Sequence, residues 1–338
     1  MDTSATASVA LVRRPMTTAP AVSCQARPTY RWRGLTNLLR MGHCAPAVMQ
    51  TLLDIQGRKA EWLVKLTAGL PGGIGNTGNE CGGVTATLIK LGLDHGLGVE
   101  HDGLPTVVAA GHEYCQRFAS CHHSLHCQDI LGTRRVPLPC IKVVCRAPEF
   151  YQATAQSDHA DVISDETRAA FRLLYSHLGS SGFHCAHAVL GQLGHTIPVT
   201  QELLDATSGF VGGTAFQGRT CSALVAGVMA VGLRLGEIED SLPRVVRMLA
   251  TMIAGGNALA DDLNQFNRIV NIGSRMAEWF TREFGSTSCH DVTQCDFSTA
   301  SGVQRFIENG SVAKCRTIAQ RVAAQVEATL KQEMGDGK

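Results

Sequence analysis

The chain repeats itself, and the repeat constrains its fold more than any other feature. His43-Cys44-Ala45-Pro46-Ala47-Val48 returns as His184-Cys185-Ala186-His187-Ala188-Val189, an offset of 184 − 43 = 141. Gly69-Leu70-Pro71-Gly72-Gly73 returns as Gly209-Phe210-Val211-Gly212-Gly213 at an offset of 140. Gly78 and Cys81 match Gly218 and Cys221 at the same 140, and Leu91-Gly92-Leu93 matches Val231-Gly232-Leu233. Matched cysteines and glycines at a nearly constant offset mean duplication of one structural unit.

Beyond Cys81 and Cys221 the copies align more loosely. Ser124-Leu125-His126-Cys127 resembles Ser286-Thr287-Ser288-Cys289, and Asp129 and Asp291 each follow their cysteine by two positions. Cys315 pairs with Cys140 or Cys145; Val144-Cys145-Arg146 matches Lys314-Cys315-Arg316 slightly better, and Cys140 stays open. The second copy is longer between its middle cysteines (289 − 221 = 68 against 127 − 81 = 46). A length of 338 residues suits two ordinary domains. The expected organisation is an Ala/Thr/Pro-rich flexible leader over 1–30 with a free thiol at Cys24, a first four-cysteine module over 31–150, a polar linker over 151–165 and a second module over 166–332. Helices are expected at 44–55, 81–93, 185–194 and 221–235, with long helical patterns at 243–284, broken at Gly255-Gly256, and at 302–332. The glycine-rich stretches 69–79 and 209–219 read as loops, and strand-like alternation is scarce. The fold class is all-α, two similar helical-bundle modules in tandem.

A net charge of +1 gives no electrostatic case for nucleic acid or an anionic membrane. Hydrophobic residues at 44% and charged residues at 17% suit a large buried core. No signal peptide follows Arg13-Arg14, and no stretch reaches the length of a membrane span. The expected setting is cytoplasmic. Thirteen cysteines, an odd count, read there as metal-binding or catalytic rather than as a disulfide framework.

Each copy presents Cys, a Gly-Gly loop, Cys, a long gap, Cys, a shorter gap, Cys. These are not the C-x-x-C pairs of zinc ribbons or the close spacing of bacterial ferredoxins, so the thiols must converge through the fold. Cys81 and Cys221 each follow a glycine-rich loop and open an apolar helix. Free N–H groups and the positive end of the helix dipole are expected there to lower the thiol pKa. Gly72, Gly73, Gly212 and Gly213 would let the main chain approach a bound group closely.

In these features the chain resembles the C-GCAxxG-C-C family of redox-active proteins. The second copy carries the resemblance best, at Cys185-Ala186, Gly209 to Gly213, Thr220-Cys221-Ser222-Ala223, Phe284 to Cys289, and Cys315. The first copy matches at Cys44-Ala45, Gly72-Gly73, Cys81-Gly82, Cys127, and Cys140 or Cys145. Neither copy keeps every small residue after its second cysteine, and the first copy carries the extra Cys115 and Cys121. The resemblance implies an iron–sulfur cluster (2Fe–2S or 4Fe–4S), up to one per module. Its ligands would be Cys44, Cys81, Cys127 and Cys140 or Cys145 in one module, and Cys185, Cys221, Cys289 and Cys315 in the other. It also implies a redox partner protein. A cluster shared across a homodimer interface stays open, as does whether the chain is an oxidoreductase.

Two rival readings use the same cysteines. One is a thiol–disulfide oxidoreductase or redox sensor with Cys81 and Cys221 as low-pKa attackers; the other is a protein for zinc or another thiophilic metal. His43 and His184, each before a first cysteine, are expected to hydrogen-bond near the site. Cys121-His122-His123 with His126 and Cys127 reads first as a loop and second as a separate metal site. Cys295 reads as a free thiol and Asp261-Asp262 as a solvated turn.

Overall fold

The computed structural model describes residues 28–96, 103–132, 138–159, 169, 171–177, 184–237, 242–253, 264–297 and 299–335. Among them there is no β-strand, only two isolated bridges, Glu80 with His126 and Thr220 with Ser288. The all-α expectation holds.

The first copy contains α1 (Pro28–Met41), α2 (Cys44–Gln56), α3 (Glu61–Leu66), α4 (Gly82–His95), α5 (Gly103–His122), α6 (Cys127–Leu131) and α7 (Leu138–Ala155). A short helix α8 over 171–177 precedes the second copy. That copy contains α9 (Cys185–Gln192), α10 (Gln201–Thr207) with a 3₁₀ turn Ser208–Phe210, α11 (Ser222–Leu235), α12 (Leu242–Ile253), α13 (Asn264–Phe284), α14 (Cys289–Thr293), α15 (Ala300–Glu308) and α16 (Ser311–Gly335).

The equivalent helices α4 and α11 form the centre. Every residue from Gly82 to Gly92 and from Ser222 to Gly232 is buried, the mark of a helix surrounded by others. Within its own copy α4 packs on α2, α5 and α7, and α11 packs on α9, α13 and α16. Both also cross over: α4 packs on α10 and α11 on α3.

These crossings are reciprocal. A Cβ on Gly69 would lie 2.6 Å from Val228, and one on Gly209 would lie 2.4 Å from the carbonyl oxygen of Leu88; both partners shift by 140. A Cβ on Gly92 would meet the Asp205 carbonyl oxygen at 2.4 Å, and one on Gly232 would meet that of Lys65 at 2.7 Å, again 140 apart. Residue i touching j while i + 140 touches j − 140 defines an isologous contact, the pattern of a two-fold dimer. The copies thus pair about a pseudo-two-fold axis. One core cluster draws on both, from Met49 and Leu88 to Val225 and Ile318.

The structure departs from expectation in two places. The 151–165 stretch does not begin as a linker: α7 runs to Ala155 and buries Tyr151 at 3% exposure. The 302–332 helix is two helices, α15 and α16, broken at Asn309-Gly310, where Gly310 has φ +80. The 243–284 pattern is two helices, as a break near Gly255-Gly256 implies; Gly255-Gly256 and Asp261-Asp262 lie outside the described residues, as do the leader before Pro28 and Cys24. Among the described residues no helix is long and apolar enough to cross a membrane.

Candidate thiol sites

The glycine-rich stretches are not irregular loops. Gly72, Gly73, Ile74, Gly75 and Asn76 all have positive φ, between 60 and 82. Gly212, Gly213, Thr214, Ala215 and Phe216 repeat this, between 50 and 74. Five consecutive left-handed residues make a left-handed turn, closed by Ile74 N–H donating to Leu70 (2.9 Å) and Gly75 N–H to Gly69 (2.8 Å). In the second copy Thr214 donates to Phe210 (3.2 Å) and Ala215 to Gly209 (3.0 Å). The conformation costs an ordinary L-residue about 1–2 kcal/mol, so Thr214, Ala215 and Phe216 hold it only because their surroundings fix it. After each turn Gly78 or Gly218 (φ +81 and +68) reverses the chain into a cysteine that caps a central helix.

In the first copy these elements gather Cys44 at the start of α2, Cys81 before α4, Cys127 at the start of α6 and Cys140 in the first turn of α7. The Cys81 thiol bonds to Cys44, which lowers Cys44 and raises Cys81 well above the usual thiol value. The N–H groups of Gly72, Ala45 and Gly82 lower Cys44 further. Burial, then the Cys44 charge, pushes Cys127 up to about 12. Burial, then Cys44 and Cys127, raises Cys140 well above its ordinary value. Gly82 is needed here, because a Cβ on it would stand 2.5 Å from Cys44 Sγ.

In the second copy Cys185, Cys221, Cys289 and Cys315 line one small cavity. Val211, Phe216, Val292, Phe297 and Phe306 make its walls apolar, and Leu104 and Val108 of α5 join that shell. The Cys185 thiol bonds to Cys315, raising Cys185 and lowering Cys315. Burial, then the Cys315 charge, pushes Cys221 up to about 12, against the N–H groups of Ala223 and Leu224 that lower it. Gly213 stands against this site: a Cβ there would lie 2.6 Å from Cys289 Cβ.

The expectation of depressed pKa values at Cys81 and Cys221 is therefore corrected. The helix N-termini do aim N–H groups at Cys221, but burial outweighs them. The depressed thiols are Cys44 and Cys315. Of the two candidates for a fourth partner, Cys140 lies beside Cys44 and Cys127 and Cys145 does not. Five residues from Cys140, it lies about 140° around α7, and its thiol donates to the Arg31 carbonyl oxygen at 3.4 Å.

Gly72 acts through its N–H on Cys44, and Gly212 lines the second cavity. His184 is buried and stacks on His187 at 4.1 Å, and burial holds both below the usual imidazole value. His43 precedes α2 as its N-cap. The Cys121–Cys127 patch is a short loop, residues 123–126, between the end of α5 and the start of α6. His122 stacks on Phe118 at 4.4 Å, while His126 Nε2 meets Arg219 at 2.8 Å. Cys295 is fully buried, its thiol donating to the Thr293 carbonyl oxygen at 3.2 Å.

None of the twelve described cysteines is in a disulfide. The thiols of each set influence one another, yet among the described residues no group of three or more His, Cys, Asp or Glu stands close enough to hold a single metal ion. In the second copy the four cysteines line a cavity and do not close on one point. Its place in the first turn of α7, close to the helix start as Cys44 and Cys185 are in α2 and α9, is the signal that could have favoured Cys140.

A family profile described as "Putative redox-active protein (C_GCAxxG_C_C)" matches residues 42–154 and again 183–329. No curated protein and no solved structure matches the chain.

Proposed function

The chain belongs to the C_GCAxxG_C_C family of redox-active proteins, and from that premise we propose that it is an electron-transfer protein holding an iron–sulfur cluster at each thiol set. The observation that carries this reading is the convergence of Cys185, Cys221, Cys289 and Cys315 on one apolar-walled cavity. The bond to Cys315, then burial, raises Cys185, and burial followed by the charges of neighbouring thiols raises Cys221 and Cys289. A cationic core held there would favour the thiolate forms, with release of protons.

The donor set fits a cluster. A lone tetrahedral ion needs all four sulfurs within about 2.3 Å of one centre. A cluster spreads its thiolate ligands over several irons, as sulfurs lining a cavity would allow. Cys44, Cys81, Cys127 and Cys140 would hold the first cluster, and Cys185, Cys221, Cys289 and Cys315 the second. Such a group supplies one-electron oxidation and reduction. The chain's own part is to donate N–H groups to sulfur, from Gly72, Ala45 and Gly82 to Cys44 and from Ala223 and Leu224 to Cys221. The Phe216, Phe297 and Phe306 shell limits access of water to the second site.

A second reading rests on the pairing of Cys44 with Cys81 and of Cys185 with Cys315 within their sites. Each pair matches a lowered thiol with a raised one, the arrangement of a dithiol couple. Oxidation of such a pair to a disulfide would release two electrons and two protons to a partner disulfide, reduced to two thiols. In this reading the attackers are Cys44 and Cys315.

Iron and acid-labile sulfide per chain, with a visible spectrum on protein purified without oxygen, separate the two. Coloured protein with equal iron and sulfide, reduced by about half in Cys221→Ser, is the expected result for two four-thiolate sites. Colourless protein after anaerobic reconstitution, with a thiol count that follows the redox buffer, would transfer the assignment to the dithiol couples.

A further inference from the structure

One buried carboxylate stands on the pseudo-two-fold axis. Glu80 is fully buried and immediately precedes Cys81. Its carboxylate accepts from Thr214 Oγ1 (3.2 Å), from the backbone N–H of Thr220 (3.1 Å) and from Thr220 Oγ1 (2.5 Å). All three donors belong to the other copy. Thr220 is also the equivalent of Glu80 itself, 140 residues later, and immediately precedes Cys221. The residue before one site's cysteine therefore binds its own counterpart before the other site's cysteine.

The neighbouring bonds follow the same plan. Asn79 Nδ2 donates to Thr287 Oγ1 at 3.3 Å, two residues before Cys289. Arg219, the counterpart of Asn79, reaches His126 Nε2 at 2.8 Å, one residue before Cys127. Within each copy Cys127 N–H donates to Asn79 (2.7 Å) and Cys289 N–H to Arg219. Four of the eight site cysteines thus hang from a small hydrogen-bonded spine that crosses the axis.

The Glu80–Thr220 pair exists only because the duplicated copies diverged. Two glutamates facing each other across the axis would place like charges in a buried space, and two threonines would leave no carboxylate to bind the Thr220 N–H. A buried carboxylate with three donors is costly to disturb, since removing its charge or its partners leaves desolvated polar groups unmatched.

We propose that Glu80 is a positioning residue for both thiol sites, holding the Thr220–Cys221 junction from the Cys81 side so that the two sites open and load as one unit. The assignment takes from the proposed function only what the sites hold; the coupling itself is a property of the loops. It amounts to a coupling free energy between two sites, and opening of either must loosen the other.

The test needs no metal. The full chain, chelator-treated and kept anaerobic, is exposed to iodoacetamide, and alkylation at Cys81, Cys221 and Cys145 is followed by mass spectrometry. Cys145 is buried but belongs to neither site, so it reports general loosening. Glu80→Gln is expected to speed Cys221 and Cys81 at least about fivefold while Cys145 changes less than about twofold, because local opening sets the rate at a buried thiol. Thr220→Val should reproduce the Cys221 effect, and Thr220→Ser, which keeps the hydroxyl, should not. Cys44→Ser should speed Cys221 across the axis when Glu80 is present and add nothing in Glu80→Gln.

An unchanged Cys221 rate in Glu80→Gln, or equal acceleration of all three cysteines, would overturn the proposal. Should Glu80→Gln lose its helical circular dichroism, the Thr220→Val and Thr220→Ser pair decides alone. Iron-free protein with coupled alkylation would sink the clusters and keep Glu80; iron-loaded protein with uncoupled alkylation would do the reverse.

Discussion

Gly82 is followed by an apolar helix and looks in sequence like a helix-start residue, yet what matters is the atom it lacks. Cys44 Sγ occupies the space a Cβ would fill, at 2.5 Å, and the Gly82 N–H also acts on that sulfur. Gly82→Ala is expected to destabilise the fold by about 1–3 kcal/mol through overpacking and to separate the Cys44–Cys81 thiol pair. Chemical denaturation would show the first effect, and a pH profile of Cys44 alkylation moved to higher pH the second, because the Cys81 bond no longer favours its thiolate. A Cys44 pH profile equal to the parent's would show that the contact does not set that thiol's chemistry. Much at this scale was legible in sequence: the duplicated cysteines and glycines marked both sites. The direction of the pKa shifts was not. Proximity to a helix N-terminus is local and readable, whereas what overrides it, the bond to Cys44 and then burial at Cys81, and burial at Cys221, comes from helices distant in sequence.

Among the elements, α7 shows what spacing can and cannot reveal. Cys140 and Cys145 sit five residues apart on one helix, and a three-residue likeness to Lys314-Cys315-Arg316 favours Cys145. The helix turns Cys145 toward α1 and leaves Cys140 with Cys44 and Cys127. Local identity says nothing about rotational phase, which is set by what α7 buries: Val143, Val144, Ala147 and Phe150. Cys140→Ser is expected to halve the iron recovered per chain in a two-cluster protein, and Cys145→Ser to leave it within about a tenth of the parent value, since only the first loses a thiolate ligand. Equal iron loss in both variants would return the fourth position to Cys145. The left-handed turns were hidden for a related reason. Three glycines among Gly72–Asn76 hint at positive φ, but Thr214, Ala215 and Phe216 carry no such sign. Their conformation is imposed by contacts such as that of Ala215 with Gly111 and of Thr214 with Glu80.

For the whole molecule, the repeat announced two similar helical units but not the way they join. Tandem copies could have stood side by side with a linker between them. Instead α4 and α11 cross reciprocally into the other copy, and the residues permitting this are glycines with no side chain at the crossing: Gly69, Gly92, Gly209 and Gly232. Each was visible as a matched glycine, and none could be told from a turn residue without its partner. The consequence is energetic. With one core cluster spanning both copies, neither copy buries its apolar surface alone, so unfolding should be a single cooperative event. Gly209→Ala tests this sharply, because its Cβ would press on the Leu88 carbonyl oxygen of the other copy at 2.4 Å. Calorimetry should show one transition for the parent and one, lowered by several degrees, for the variant, as a cost of about 1–3 kcal/mol implies for a chain of this size. Two resolved transitions, with only the later one shifted, would mean that the copies are stable separately. The pseudo-two-fold contact would then be an association of independent domains, and the Glu80 spine would have no shared core to act through.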